Sequence, residues 1–269
     1  MVHMPLDPEE LVRVAVEAGN AIMEVYESSE EIQVKSKDDH SPLTQADLAA
    51  HETIIAGLMG LDPGTPIVSE EGREGNPNDS DLAWLVDPLD GTKEFIKRNG
   101  MFTVNIALMR RSASRWYPIF GVVHAPVPRS TWLGGHNHPA EKITDSRRTR
   151  INVNEEPGQR VKLVASGSHR TDKDEAFASD IGPHELVRMG SSLKACVVAE
   201  GAADLYPRFG PTSCWDIAAA HAVVESAGGH VMGPDCRTMD YDLVDNVLNP
   251  YFLVTCSTRW NLIWSGNQG

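Results

Sequence analysis

Positive charge is scarce in this sequence: 24 Lys and Arg stand against 38 Asp and Glu, a formal net charge of −14. So acidic a chain repels phosphate backbones, which argues against a general nucleic-acid binder that works by counterion release. A phosphorylated small molecule can still bind where metal ions reverse the local sign. Cysteine is sparse too. Cys196, Cys214, Cys236 and Cys256 form no C-x-x-C pair and have no His partners at zinc spacing, so reduced and mostly buried thiols are expected. No uncharged apolar run approaches the roughly 18 residues of a membrane span. The stretch from Met1 to Asp7-Pro-Glu-Glu10 lacks the basic-then-apolar order of a signal peptide, and the expected compartment is the cytoplasm.

What is present is a chain of 269 residues, long enough to bury a sizeable core as one domain over 1–269. Its expected halves are residues about 1–140 and about 158–269, with the polar segment His136–Pro157 as a loop between them. Asp7, Pro8 and Glu10 make a helix start, and Leu11, Val14, Ala15, Ala18 and Ile22 continue it at helical spacing to about residue 28. Lys35–Pro42 is charged and aperiodic, so a loop is expected there. Thr44-Gln-Ala-Asp47 opens a second amphipathic helix that stops before Asp62-Pro63-Gly64. The apolar runs 66–69 and 82–86 end abruptly in acids. The runs 103–109, 117–123 and 130–133 suggest an antiparallel meander. Strands at 161–165 and 185–189 then alternate with helices near 171–179, 191–200 and 214–227. The fold class is α+β, in layers.

The chemistry concentrates in Asp87-Pro-Leu-Asp90-Gly-Thr92. Pro88 keeps the chain extended past a strand end, and Gly91 permits close backbone approach to a ligand. Two carboxylates and the Leu89 carbonyl are the hard oxygen donors that Mg²⁺ prefers, and the helix start behind them suits a phosphate. The alternative is that Asp87 ends the strand and Asp90 caps the helix. Glu70 and Glu71 end the preceding strand, and neighbouring strands would bring a carboxylate close to Asp87. Glu71 reads better as solvated. Asp216 after Ser213, like Asp47 after Thr44, has the spacing of a capping box.

Val68-Ser-Glu-Glu-Gly72, Trp84–Phe95 and Trp215–Gly229 together resemble the inositol monophosphatase superfamily of lithium-sensitive, magnesium-dependent phosphatases over nearly the whole chain. The loop 36–47, the Lys-Glu-Phe after Asp-Gly-Thr, Gly190-Ser-Ser-Leu-Lys-Ala-Cys196 and Ala199–Pro211 look like the bacterial 3′(2′),5′-bisphosphate nucleotidases. The resemblance implies a layered α-β-α-β-α fold and two or three Mg²⁺. Glu70, Asp87 and the Leu89 carbonyl would hold one ion, and Asp87, Asp90 and Asp216 a second. It makes Thr92 and Asp47 the pair that orients the attacking water. Gly91 and Thr92, with His169, Ser191, Lys194 and Arg208, become substrate-binding.

The implied activity is hydrolysis of the 3′-phosphate of adenosine 3′,5′-bisphosphate to AMP and phosphate, which clears a by-product of sulfate activation and sulfotransfer. An inositol or sugar phosphatase on the same scaffold is the nearest rival, because function lives at the periphery of such a centre. A non-catalytic nucleotide-binding regulator would not need Thr92 and Asp47. Five acids in one cleft would require compensating cations, which makes the ligand assignment self-consistent. The expected partner is a small phosphorylated nucleotide, with no nucleic acid.

Overall fold

The computed structural model describes residues 7–28, 34–36, 42–145, 147–165 and 171–268, with 34–36 and 42 described by backbone alone. Helix α1 (Pro8–Glu27) begins where Asp7 accepts the Glu9 N–H, and it buries Leu11, Val14, Ala15, Ala18 and Ile22. Each large apolar side chain so removed from water contributes about 1.5–3 kcal/mol. Strands β1 (Val34–Ser36) and β2 (Pro42–Thr44) pair antiparallel, so the ends of the expected 35–42 loop are a short ladder. Charge and lack of periodicity hide three-residue strands. Helix α2 (Gln45–Leu61) then packs on α1.

Strands β3 (Ile67–Ser69), β4 (Gly72–Glu74) and β5 (Leu82–Asp90) lead into the short helix α3 (Thr92–Ile96). Next come β6 (Thr103–Ser112), β7 (Arg115–Ala125), β8 (Ser130–Gly135), β9 (His138–Thr144) and β10 (Arg147–Arg150). These form one sheet in the order β10-β9-β8-β7-β6-β5-β3-β4. The antiparallel meander from β6 to β8 matches the expectation. The segment 136–157 does not: β9 and β10 extend the sheet to its edge. Every residue of β10 is exposed and β9 buries Ala140 alone, so the alternation that marks a half-buried strand is missing from the sequence.

The second sheet contains β11 (Val161–Ala165), β12 (His184–Arg188), β13 (Leu205–Arg208), β14 (His230–Met232) and β15 (Phe252–Thr255), ordered β12-β11-β13-β15-β14. Helix α4 (Asp172–Asp180) packs against α7 (Asn261–Gly266), while α5 (Leu193–Ala199) and α6 (Ala218–Ser226) pack together between the sheets. Gly121 on β7 explains how closely α6 approaches. A Cβ there would lie 2.0 Å from the Ala219 carbonyl oxygen, so no larger residue fits. The layers therefore run α1/α2, sheet, α5/α6, sheet, α4/α7, the expected α-β-α-β-α order. All four cysteines are free, and burial pushes the Cys196 and Cys214 thiols far up, as suits inert core thiols. Among the described residues no helix is long and apolar enough to cross a membrane.

Candidate active site

β3 runs parallel to β5 with Ser69 opposite Val86, and the Glu70 N–H continues the ladder to the Val86 carbonyl at 3.1 Å. That single extra bond sets Glu70 beside Asp87. On its other edge β5 pairs with β6, Asp87 opposite Asn105 and Asp90 opposite Thr103, so β5 uses one residue more than its partner over this interval. The resulting bulge re-aims the strand end where both acids lie. The ladder thus carries β5 through Asp90, beyond the expected end at Val86. Gly91 follows at φ +94°, and a Cβ there would meet the Met101 carbonyl oxygen at 3.1 Å and Ser191 Cβ at 3.3 Å. Both conformation and space demand glycine. Helix α3 has five residues, so it offers far less of an N-terminal dipole than its motif suggests.

Asp47 is both a cap and a member of the site. Its Oδ2 accepts the Thr44 N–H at 2.8 Å and the Thr44 hydroxyl at 2.6 Å, while Oδ1 accepts the Thr92 hydroxyl at 3.2 Å. Asp216 is likewise a cap whose Oδ2 accepts the Ser213 N–H at 3.0 Å, in a 3₁₀ turn just before α6. Capping fixes each carboxylate without consuming all its lone pairs, so the two readings of these acids are compatible.

The acids oppose one another. Burial pushes the Asp87 carboxyl well above its ordinary range, and Glu70, Asp90, Asp216 and Asp47 push it further. Burial also pushes Asp216 up to about 8, with Asp90 and then Glu70 adding to it, while the Ser213 N–H and Arg208 work the other way. Like charges gathered out of water resist ionisation unless a cation compensates. A hard divalent cation fits this all-oxygen donor set. As the side chains stand, no three His, Cys, Asp or Glu converge on a common centre among the described residues. The Leu89 carbonyl faces the Thr92 hydroxyl at 3.4 Å, and the Leu89 N–H donates to Asp87 Oδ1 at 3.1 Å.

The C-terminal half reaches this cluster through Ser191 and Ser192. Ser191 lies at φ +52° and donates its hydroxyl to Asp90 Oδ2 at 2.7 Å, and the Ser192 N–H donates to the same oxygen at 2.6 Å. The Ser192 hydroxyl accepts from Asn105 Nδ2 at 2.9 Å and donates to the Asp216 backbone carbonyl. Ser192 thus ties Asp90 to the backbone of Asp216, with Asn105 behind it. Thr103 Oγ1 contacts Ser191 Oγ at 2.6 Å. Sequence reasoning missed Ser192, Asn105 and Thr103. The available signal was polar Thr103 and Asn105 two apart in an apolar strand, hence on one face.

Lys194 is buried, and burial lowers its pKa. Its ammonium donates to the Ser191 carbonyl at 2.7 Å and lies 5.5 Å from the centre of the Tyr206 ring. Arg208 donates one N–H to the Pro211 carbonyl at 3.0 Å, whereas among the described residues its buried Nε has no hydrogen-bond partner. Arg208 lines a cavity of about 380 Å³ with Lys93, Thr171, Asp174, Tyr206 and Phe209. His169 lies outside the described residues, as do residues 37–41 of the loop motif.

Residues 8–260 match the model of the inositol monophosphatase family. The chain is 44% identical over 253 residues to the 3′(2′),5′-bisphosphate nucleotidase CysQ of Salmonella typhimurium, covering 92% of this chain and 98% of that protein. It is 45% identical over 249 residues to the enzyme of the same name from Escherichia coli K12, at the same coverage. The crystal structure of CysQ from Bacteroides thetaiotaomicron, a bacterial member of the inositol monophosphatase family, matches with a TM-score of 0.78 and 36% identity, covering 93% of this chain and 97% of that one. The suhB protein of Bartonella henselae shares the fold, with a TM-score of 0.80 at 21% identity. The chain belongs to the inositol monophosphatase family.

Proposed function

We propose that this protein is a metal-dependent phosphatase that removes the 3′-phosphate of adenosine 3′,5′-bisphosphate, giving AMP and phosphate. The observation that carries this is the pairing of an acid-lined cleft with a neighbouring cavity whose buried Arg208 Nε finds no acceptor among the described residues. A substrate with two phosphates would answer both features: one is cleaved among the carboxylates and the other takes the guanidinium. The relatives named as bisphosphate nucleotidases support the substrate class.

Phosphatases of this family are generally metal-dependent, and Mg²⁺ suits oxygen donors alone. Glu70, Asp87 and the Leu89 carbonyl would hold one ion, and Asp87, Asp90 and Asp216 another. The chemistry such cations supply is neutralisation of the acids and of the charge on the transferred phosphoryl group. The protein's own contribution begins at Thr92. Its hydroxyl proton points to Asp47 Oδ1, which leaves the Thr92 oxygen free to accept a proton from water. A water held there is oriented for attack on phosphorus, and its proton passes through Thr92 Oγ1 to Asp47. The P–O bond to the 3′-oxygen breaks as the bond to water forms, the leaving 3′-oxygen takes up a proton from solvent, and Asp47 returns its proton to solvent. Gly91 brings backbone close to the phosphoryl group, while Ser191 and Lys194 shape the wall toward the ribose. His169 completes the set of residues assigned to the nucleotide.

Phosphate release from adenosine 3′,5′-bisphosphate, 3′-phosphoadenosine 5′-phosphosulfate and inositol 1-phosphate, with Mg²⁺ or with chelator, tests this. Turnover should require the cation and favour the nucleotides. A higher kcat/KM for inositol 1-phosphate would transfer the assignment to the sugar-phosphatase rival.

A further inference from the structure

At the far end of the large sheet lies a second cavity, of about 640 Å³, lined by residues from β6 to β10 and from α6. Arg110 on its wall pairs with Leu82 at the start of β5, five positions along the ladder from the Asp87–Asn105 pair. At about 3.4 Å per residue that is roughly 17 Å from the acidic cleft.

The lining is unusual for so acidic a chain. Arg110 and Arg150 both face the cavity, together with His136 of the β8–β9 turn and His138 at the start of β9. Among the described residues neither arginine has an ion pair, a side-chain hydrogen bond or an aromatic ring beneath it. Nearby arginines do have carboxylates: Arg111 pairs with Asp81, Arg115 with Asp240, and Arg148 with Glu9 and Glu141. The two guanidiniums therefore reach one cavity with their donors unspent. One carboxylate, Glu225, lines the cavity, with Nε2 of the buried His221 3.2 Å away. Glu141, opposite Arg150 in the ladder, already serves Arg148 and faces His138 at 3.9 Å. The wall is also fixed in place, because Ser226 donates to the His138 carbonyl, and a Cβ at Gly135 would meet the Ile119 carbonyl oxygen at 2.3 Å. Pro118, Ile119 and Pro139 supply apolar surface beside the cations.

Planar guanidiniums with unspent donors match the tetrahedral oxyanion of a phosphate or sulfate, and the volume falls within the range of small-molecule sites. We propose that this cavity is a second, non-catalytic anion site, which binds a small molecule carrying one phosphate or sulfate group between Arg110 and Arg150. The site stands independently of the catalytic assignment.

Calorimetric titration with inorganic phosphate, sulfate and AMP tests it, with chelator present so that the metal-free acidic cleft repels the same anions. Binding should be measurable for at least one of the three and should survive chloride at equal ionic strength. Arg110→Gln and Arg150→Gln should each weaken it about 10-fold or more, the effect of losing one charge-assisted contact. Arg150 is exposed on an edge strand, so its variant keeps the test valid if Arg110→Gln fails to fold. Tighter binding of AMP than of phosphate would support the site with a nucleotide-sized occupant, and equal affinities would support it with a bare oxyanion. No binding by any of the three, displacement by chloride, or affinity unchanged in both variants would overturn the proposal.

Discussion

Ser192→Ala removes one oxygen atom and tests how the two halves of the site are joined. That hydroxyl accepts from Asn105 Nδ2 at 2.9 Å and donates to the Asp216 backbone carbonyl. The Ser192 N–H to Asp90 survives the change, so Asp90 keeps that backbone donor. What is lost is the brace on Asp216, together with the acceptor for a side-chain amide that is 1% exposed. A buried polar group left unpaired costs about 1–3 kcal/mol, and at roughly 2–4 °C per kcal/mol the melting temperature should fall by about 2–12 °C. Groups that orient metal ligands typically contribute 10- to 100-fold in metal affinity or activity. The Mg²⁺ concentration that gives half-maximal phosphate release should therefore rise by at least about tenfold, and calorimetric Mn²⁺ binding should weaken in parallel. Asn105→Ala breaks the same chain from behind, so the double variant should lose little more than the worse single one. Strictly additive losses, or a metal requirement within about twofold of the parent, would refute the brace.

Asp90→Asn should abolish phosphate release while circular dichroism stays unchanged, because it removes a charge assigned to the cation and little volume; activity within about threefold of the parent would sink the ligand assignment. Arg208→Ala should lower kcat/KM for adenosine 3′,5′-bisphosphate about 10- to 150-fold and leave inositol 1-phosphate within about threefold, and equal losses on both would favour the rival phosphatase. Lys194→Ala should behave differently, reducing thermal stability and both activities, because its ammonium holds the Ser191 carbonyl; an unchanged melting temperature would contradict this. His124, 6% exposed on β7, is held neutral by burial, its pKa lowered from 6.5 to about 4. A depressed histidine contributes stability at pH above 6.5 that is lost as pH falls toward 4, here about 3 kcal/mol. Between pH 6.5 and 4 the unfolding free energy of the protein, measured by denaturant, should fall by about 3 kcal/mol more than that of His124→Gln, and parallel curves would refute it.

Much of the fold could be read from local signals. The capping motifs at Asp7 and Thr44 begin α1 and α2 where expected, and the meander from β6 to β8 follows its alternation. Edge strands carry no such pattern. In β10, Arg147, Arg148, Thr149 and Arg150 are all exposed, and what makes them a strand is the ladder to β9, a pairing that composition does not encode. The three-residue strands β1 and β2 escaped for the same reason.

Glu70, Asp90, Asp47 and Asp216 were legible because each ends or caps an element, and such positions follow from short-range rules, whereas Asp87 lies inside β5 and stood out only through its motif. Their union was not. Asp90 and Ser192 are about a hundred residues apart in the chain and meet on one carboxylate oxygen, a contact that exists only once the two sheets have closed around α5 and α6. Ser191 and Lys194 belong to the same closure. Lys194 reads from sequence as a charge awaiting a phosphate, yet its ammonium faces the Ser191 carbonyl and the Tyr206 ring. A lysine that spends one donor on the backbone and keeps others can fix a ligand while fixing the turn that holds Asp90. Arg208, whose buried Nε has no acceptor among the described residues, has no such internal duty for that donor, and so separates substrate recognition from site architecture more cleanly than Lys194. Specificity for a second phosphate should accordingly follow Arg208, and integrity of the acidic cleft should follow Lys194 and Ser192.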